Sequence, residues 1–356
     1  MSCSTGKNIV VTVFGQSHSQ AIGAVVDGVP AGIGIDESRI ADFMKRRSAK
    51  DGISTARREA DEIRIVSGIV DGITCGAPIC AIIGNVDTKS SDYDDFKNLP
   101  RPSHSDFSAY FKHNGNNDIR GGGNSSGRMT AAICFAGAVC IQLLEKKGIY
   151  IGAHALSVYD AEDERFDPVN VSAEELKKIG SSEYPVLNPD SLEKMKKAIE
   201  DAKAEKDSVG GVIECAIVGI EAGTGEPMFD GIENKISSSV FAIPAIKGIE
   251  FGSGFDGSRK HGSENNDDFR KCGEKIVTSK NDHGGILGGM ASGMPVIFRC
   301  AVKPVPSIGK AQRSVDLESG EEKEITVCGR HDSCIVMRAV PCIEAAAAIA
   351  IADLVF

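Results

Sequence analysis

The feature that most constrains the fold is a glycine-rich segment that runs directly into a long apolar stretch. It is Arg120-Gly-Gly-Gly-Asn-Ser-Ser-Gly-Arg-Met-Thr130, and apolar residues then continue through 131–144. A helix start leaves backbone N–H groups without partners and carries partial positive charge, and glycines let a ligand approach that backbone. Arg120 and Arg128 add fixed positive charge on both sides. The segment predicts an anion-binding cradle; the alternative is a glycine-rich turn before a serine-capped helix.

Composition limits the class of ligand and the cellular setting. The 356 residues are 41% hydrophobic with 40 glycines, which suits a large core with many tight turns. A formal charge of -10 argues against a nucleic-acid partner or an anionic membrane surface. Any anionic ligand therefore needs a local basic pocket.

Cysteines and apolar runs point to a cytoplasmic protein outside the membrane. The 11 cysteines form no CxxC pair and no secretory leader precedes them, so we expect reduced thiols in a cytoplasm. The apolar run 345–352 is well short of the ~20 residues that a membrane span needs, and it predicts a buried helix. No histidine spacing matches a zinc motif, so no metal is expected.

The order of apolar and polar segments favours an α+β fold in a single domain, residues 1–356. Strand-like runs at 8–14 and 22–27 predict a hairpin with a polar tip, and 63–67, 78–84, 209–220 and 295–302 predict further strands. Helices are predicted after Asp36 and over 129–147. Residues 90–113 are expected to form a long polar connection, and 260–282 a polar, mobile segment. The absence of strict βαβ alternation argues against a doubly wound sheet.

Three histidines lie in polar contexts suited to proton transfer. They are His18 in a turn, His104 in Arg101-Pro-Ser-His-Ser-Asp106, and His331 beside Asp332. Histidine exchanges protons near neutral pH, although each one could instead have a turn or capping role. The segment Lys303-Pro-Val-Pro-Ser307 offers a cation and a hydroxyl to a phosphate, or is simply a strand end punctuated by prolines.

Six ordered motifs together resemble the chorismate synthase family over essentially the whole chain. They are GQSHSQAIGAVVDGVPAG, RPSHSDFSAY, RGGGNSSGRMT, NDHGGILGGMASGMP, KPVPSI and GRHDSCIVMRAVP. The resemblance implies a β-α-β sandwich of two antiparallel sheets enclosing helices, assembled as a homotetramer. It implies anti 1,4-elimination of phosphate from 5-enolpyruvylshikimate 3-phosphate to chorismate, the last step of the shikimate pathway, with reduced FMN and no net redox change.

The resemblance also implies residue roles. His18 would protonate the departing phosphate, His104 would keep the flavin in its productive protonation state, and Asp332 would assist proton removal through flavin N5. Ser17 and Ser126 would support that relay. The implied FMN site consists of Asn124, Ser125, Ser126, Pro244, Ala245, Gly288, Lys303, Pro304, Val305, Pro306, Ser307 and Arg330. The substrate carries a phosphate and two carboxylates, and candidate clamps are Arg46, Arg47, Arg57, Arg101 and Arg128.

Several positions depart from the family pattern. The chain has Gln16 where the family usually has glutamate, and Ser48, Ile53 and Asn124 where it has arginine. Each lost charge-assisted contact could weaken binding by roughly 1.5–3 kcal/mol, although Lys50 could restore one charge. The proposed proton-handling residues are all present, which favours an active enzyme; the alternative is a flavin-binding homologue without catalysis.

A nicotinamide-consuming flavin oxidoreductase ranks last, because the chain shows no convincing dinucleotide fingerprint. We expect flavin reduction to depend on a separate reductase, with NADPH as the external reductant.

Overall fold

The N-terminal half builds a five-stranded antiparallel sheet around the predicted hairpin. The computed structural model describes residues 3–48, 61–85, 96, 98–327 and 332–356. The sheet has the order β1-β2-β3-β7-β4. The strands of this half are β1 (Ser4–Thr5), β2 (Val10–Gly15), β3 (Ala21–Asp27), β4 (Ile63–Ser67), β5 (Ile69–Val70), β6 (Ile73–Thr74) and β7 (Ile79–Gly84). The four predicted strands of this region are confirmed.

Three helices follow the pattern of apolar faces and caps. They are α1 (Glu37–Arg46), α2 (Asp106–His113) and α3 (Thr130–Lys146). Asp36 caps α1 by accepting from the backbone N–H groups of Ser38 and Arg39, as its position predicts. Helix α2 corrects the expectation of a long irregular connection at 90–113. Its first turn begins at Asp106, whose carboxylate is held by Arg101 and His104 in the loop just before the helix.

The second half forms another five-stranded antiparallel sheet, in the order β11-β16-β10-β8-β9. Its outer face is covered by α4 and α5. The elements are β8 (Tyr150–Val158), β9 (Ala161–Glu162), α4 (Ala173–Ser181), α5 (Pro189–Ala204), β10 (Gly211–Val218), α6 (Ile232–Val240), β11 (Ile246–Phe251), α7 (Gly254–Gly257), α8 (Gly262–Asn265), β12 (Phe269–Cys272), β13 (Lys275–Thr278), β14 (Ile286–Leu287), β15 (Met290–Ala291) and β16 (Val296–Val302). Residues 260–282, expected as an irregular segment, contain α8 and the β12–β13 hairpin.

The chain ends with a small hairpin and a long helix. These are β17 (Gln312–Val315), β18 (Glu322–Ile325) and α9 (Val336–Val355). The helix is longer than the predicted 345–352 run, because the two carboxylates bounding that run lie inside it and are paired. Glu344 binds Arg46, and Asp353 binds Lys235 and the backbone N–H groups of Lys7 and Asn8.

Helices α3 and α9 form the central layer between the two sheets. Helix α3 packs on β3 and β7, while α9 packs on β8 and β10. A Cβ on Gly137 of α3 would lie 2.4 Å from the Cα of Ala345, so only glycine allows this close crossing. The layers are sheet, helices, sheet, which confirms the α+β sandwich.

One helical segment of the described chain, Gly127–Lys146, is long and apolar enough to cross a membrane by composition. Most of it, 83%, is buried inside the protein. Its apolar surface is therefore accounted for by the core between the sheets.

Candidate functional site

The glycine segment brings two distant histidines together. Gly121, Gly122 and Gly123 have φ values of 60°, 86° and 56°, in the left-handed region that side chains rarely adopt. A Cβ on Gly121 would lie 2.7 Å from His18 Cε1, and one on Gly122 would lie 3.2 Å from His104 Cε1. His18 and His104 therefore lie against consecutive glycines, and we call residues 120–126 the glycine cradle.

The polar tip of the β2–β3 hairpin is docked on this cradle. Ser17 donates its backbone N–H to the Gly123 carbonyl at 3.0 Å, and a Cβ on Gly121 would lie 2.4 Å from Ser17 Oγ. Ser126 begins the next helical turn and accepts a hydrogen bond from the Arg128 N–H at 3.2 Å. Ser17, His18, His104 and Ser126 thus share one small region.

Gln16, in the same hairpin tip, forms a defined hydrogen bond to a carboxylate. Its amide donates to Asp118 at 2.7 Å, and Asp118 also binds Arg120 at 2.7 Å. The Arg120 hydrogen bonds outweigh the effect of burial and lower the pKa of Asp118. A glutamate at position 16 would set two carboxylates against each other, so the amide suits this partner.

A cavity of about 630 Å³ opens beside the cradle. This volume lies within the range of about 300–1,000 Å³ that is common for ligand pockets. Apolar residues of the central layer form one side, including Met129, Ile133 and Ile349, while Asn124, Ser125 and Asp118 contribute polar groups. The cavity therefore offers a ligand both apolar surface and polar groups.

The residues implied for FMN binding lie in several parts of the structure. Asn124 and Ser125 line the cavity. Lys303 lies next to the site, since its Nζ donates to the Ser103 carbonyl at 2.8 Å and its N–H to the Ala245 carbonyl at 2.9 Å. Pro244 and Ala245 follow α6, and the cavity is lined by Ser238 and Ser239 of that helix and by Ala242 just after it.

The remaining implied FMN positions are less directly connected with the cavity. The loop 303–307 packs on residue 208, where Ser208 Oγ donates to the Val305 carbonyl at 2.7 Å. Pro304 and Pro306 belong to the same loop, and Ser307 is buried. Gly288 is exposed in the β14–β15 turn, which packs on Gly231 at the other end of α6. Arg330 lies outside the described residues.

The candidate arginine clamps are held by buried carboxylates. Arg46 pairs with Glu344 at 2.5 and 2.8 Å, and Arg101 pairs with Asp106 at 2.7 Å. Arg47 and Arg128 both bind Asp61. Burial acts to raise the pKa of Asp61, but the two guanidinium groups outweigh it and hold that pKa below its usual value. Arg57 lies outside the described residues.

A polar network connects the arginines with Asp332 and with the hairpin tip. Asp332 accepts from Arg338 at 2.5 Å, and Arg338 donates to the Arg47 carbonyl at 3.1 Å. At the other end, Arg128 donates to Asn85 at 2.9 Å. Asn85 in turn donates to the carbonyls of Gln16 and Ser19 at 3.1 and 2.8 Å. The network thus spans residues from five distant stretches of sequence.

Apart from Asp332, sequence reasoning missed the polar partners of these arginines and one arginine, Arg338. Asp106 follows His104 by two residues, and Glu344 is a charged residue in an apolar run; both are signals that buried charges need partners. Asp61, Asn85 and Asp118 carry no such local signal. Arg338 lies inside a quoted motif but was not selected. Among the described residues, no cluster of three His, Cys, Asp or Glu side chains is arranged to hold a metal ion.

The structure is an α+β sandwich with a cavity of the size that small-molecule ligands occupy. The family model described as chorismate synthase matches residues 9–356. A chorismate synthase of Korarchaeum cryptofilum is 44% identical over 98% of this chain and 96% of its own length. One from Pyrococcus abyssi is 43% identical over 98% and 96%, and one from Lancefieldella parvula 40% over 100% and 97%.

A solved structure agrees with these relatives. The crystal structure of a chorismate synthase superposes with a TM-score of 0.76 at 27% identity, covering 98% of this chain and 92% of the other. The chain belongs to the chorismate synthase family.

Proposed function

We propose that this protein is an active enzyme that converts 5-enolpyruvylshikimate 3-phosphate to chorismate by anti 1,4-elimination of phosphate. Family membership supports this activity. The single structural observation that carries it is the placement of His18 and His104 against consecutive glycines of one cradle. The enzyme is then a carbon–oxygen lyase of aromatic amino acid biosynthesis, acting as one domain.

The cavity suits reduced FMN as the cofactor. A cavity of about 630 Å³ has an apolar side for a ring system and polar groups at Asn124 and Ser125. Lys303 and the backbone around Ala245 would hold the phosphate end. Bound reduced FMN would supply electron density to the allylic system without net redox change.

His18 and His104 would divide the proton chemistry. His18 would give a proton to the departing phosphate, which lowers the charge on the leaving group. Ser17 lies against the same glycine as His18 and would orient the ring. His104, with Ser126 beside Gly122, would hold the proton state required at the cavity edge.

The arginine network would bind the anionic substrate and place Asp332. Arg46, Arg47, Arg128 and Arg338 are four cations whose ion pairs lead to three carboxylates, Glu344, Asp61 and Asp332. The four cations exceed the three carboxylates by one positive charge, and this excess would attract a substrate with a phosphate and two carboxylates. Asp332, held by Arg338, would accept a proton during the elimination.

The protein would work as a cytoplasmic homotetramer with a separate reductase or NADPH-driven system that supplies reduced flavin. The family supports this setting, and the span-like helix found among the described residues is a core helix. Size-exclusion chromatography with light scattering tests the assembly, and anaerobic NADPH oxidation with added FMN tests self-reduction.

The decisive test is product formation by purified protein under anaerobic conditions, with chemically reduced FMN and 5-enolpyruvylshikimate 3-phosphate. We expect stoichiometric release of chorismate and phosphate. FMN binding without any product would contradict the proposal and would favour the non-catalytic flavin-binding homologue. His18→Ala should lower turnover strongly while the affinity for FMN stays close to that of the wild type.

A further inference from the structure

A buried carboxylate on the cavity wall, Asp106, joins His104 to Arg101. Asp106 is the first residue of α2, and its side chain is only 4% exposed. Its Oδ1 lies 2.7 Å from His104 Nδ1 and 2.9 Å from a terminal nitrogen of Arg101, and its Oδ2 lies 2.7 Å from Arg101 Nε. The carboxylate therefore contacts the histidine and the guanidinium at the same time.

The contacts of Asp106 fit an ionised carboxylate. Arg101 donates from its backbone N–H, at 3.2 Å, as well as from its side chain. Burial acts to raise the pKa of Asp106, but hydrogen bonds from His104 and Arg101 outweigh it and lower that pKa far below the usual value. Arg101 is itself stacked on Phe96, with 5.4 Å from the guanidinium carbon to the ring centroid. Arg101, itself held by Phe96, therefore keeps the Asp106 carboxylate in a defined position.

The position of the carboxylate determines which edge of His104 faces the cradle. An acceptor at 2.7 Å from Nδ1 requires that this nitrogen carry the proton, which leaves Nε2 as the nitrogen that changes its protonation. A Cβ on Gly122 would lie 3.2 Å from Cε1 and 3.4 Å from Nε2 of the same ring. The reactive edge is therefore directed to the glycine cradle beside the cavity.

We propose that Asp106 is a positioning residue that fixes the tautomer and orientation of His104, with Arg101 holding the carboxylate in place. The inference rests on the proposed function, in which His104 handles a proton. Arg101 then serves the Asp106–His104 pair, and its binding to substrate is secondary. Asp106 acts on the reaction only through the histidine.

Asp106→Asn tests this inference because it keeps the size of the side chain and removes the charge. An amide NH2 at either oxygen position would face a donor, either Arg101 Nε or the His104 Nδ1 proton, so the ring would lose its fixed tautomer. We expect kcat to fall about 100-fold or more, within the roughly 10²–10⁴-fold range for mispaired catalytic histidines. KM and the Kd for reduced FMN should change by less than about threefold.

A double-mutant cycle separates positioning from a structural role. If Asp106 acts only through His104, then adding Asp106→Asn to His104→Ala should lower kcat no further. Independent losses that multiply would overturn the proposal, because they would show that Asp106 contributes by another route. Equal kcat for Asp106→Asn and the wild type would also overturn it.

The chain contains a matched control in a second buried histidine–carboxylate pair. Asp163 lies 3.2 Å from His154 Nδ1, on the second sheet and outside the residues that line the cavity. Asp163→Asn should lower stability in urea without changing kcat. A comparable loss of kcat in this control would show that the effect at Asp106 is a general consequence of destabilisation, and the inference would fall.

The outcomes for the inference and for the proposed function are distinguishable. Wild-type protein that releases no chorismate contradicts the function, whatever Asp106 does. Crystal structures of wild-type and Asp106→Asn protein then test the inference without turnover. We expect the His104 ring of the variant to be rotated or to occupy two conformers. A ring that stays in the wild-type position against Gly122 would overturn the proposal.

Discussion

The two halves of the molecule each contain a histidine bonded to a buried aspartate, in two different settings. His104 has Nδ1 on Asp106 at 2.7 Å, and its other edge faces Gly122 at the cavity. His154 on β8 has Nδ1 on Asp163 and Nε2 on Glu214, both at 3.2 Å, and its side chain is fully buried. In His104 only Nδ1 contacts a carboxylate, whereas in His154 both ring nitrogens do.

The difference teaches that a histidine–carboxylate pair becomes a candidate catalytic group only where one ring nitrogen reaches a ligand. Around His154, the carboxylates also hold the backbone, because Asp163 accepts from Leu187 and Asn188 and Glu214 accepts from Phe166. That network fastens strands and loops to one another. Around His104, the neighbouring chain is glycine, which leaves space beside the ring.

The largest expected effect comes from exchanging each histidine for alanine. His104→Ala should lower kcat by roughly 10²–10⁴-fold with little loss of stability, since its ring lies against Gly122, which lines the cavity. His154→Ala should remove a shared cation from Asp163 and Glu214, of which Glu214 keeps Arg299 at 3.5 Å, and lower the free energy of unfolding by about 3–5 kcal/mol. Steady-state kinetics and urea unfolding of both variants measure this. If the same variant were the more impaired in both kinetics and unfolding, the contrast between the two histidines would not hold.

The next effect tests the space that glycine provides. Gly121→Ala would place a Cβ 2.4 Å from Ser17 Oγ and 2.7 Å from His18 Cε1. Gly148, with a φ of 75° and no atom within 4 Å of its Cβ position, is the matched control. Both alanines should cost roughly 1–2 kcal/mol through the left-handed backbone. Only Gly121→Ala should also lower kcat, by about tenfold or more; equal kcat in both variants would argue against crowding at His18.

A smaller effect is expected at Lys303. Burial and the charge of Lys247 lower the pKa of Lys303, so a bound anion would stabilise its charged form. Lys303→Ala should raise the Kd for FMN about tenfold, as expected when a charge-assisted contact is lost. Lys310→Ala is the control, because Lys310 pairs with Glu205 and Asp207 on the surface. Fluorescence titration measures both affinities, and equal values would remove Lys303 from the phosphate site.

The smallest effect is the pH dependence of stability at His154. Burial acts to lower the pKa of His154, but Asp163 and Glu214 outweigh it and raise that pKa above 6.5. Its contribution is therefore complete below pH 6.5 and is lost as pH rises through the folded pKa. Burial acts to raise the pKa of Asp163, but hydrogen bonds from His154 and the backbone lower it overall, so its contribution holds above pH 3.8 and falls on further acidification.

Urea unfolding of wild-type protein and His154→Gln between pH 5.5 and 9 measures this prediction. We expect the wild type to lose its advantage progressively above pH 6.5. A difference between the two proteins that is constant with pH would show that His154 is not charged in the folded state.

Much of the fold could be predicted from local sequence. Asp36 signals the start of α1, and the apolar runs at 8–14 and 22–27 correspond to β2 and β3. Helix α2 was missed because its first residue, Asp106, is stabilised by Arg101 and His104 and not by a local cap hydrogen bond. The β12–β13 hairpin was missed because its residues are mostly exposed and polar, so no alternating apolar pattern indicates strands.

The site was predicted in its types of residue but not in its pairings. The motifs indicated His18, His104 and the glycine cradle, and the structure brings these three together. The arginines were expected to be available to a substrate, yet Arg46 is bonded to Glu344 across 298 residues of sequence. Such a contact depends on the crossing of α1 with α9, which no local pattern reports.

The sequence by itself determined most of the long helices and strands and the chemistry of the motifs, because capping, apolar periodicity and glycine backbone freedom act over a few neighbouring residues. Tertiary structure alone decided which charges meet. Buried carboxylates must find donors, and the packing of the layers brings Glu344 to Arg46 and Asp61 to Arg128, which are distant in sequence. The same packing separates His104, which lies against Gly122 at the cavity, from His154, which is buried in the second sheet.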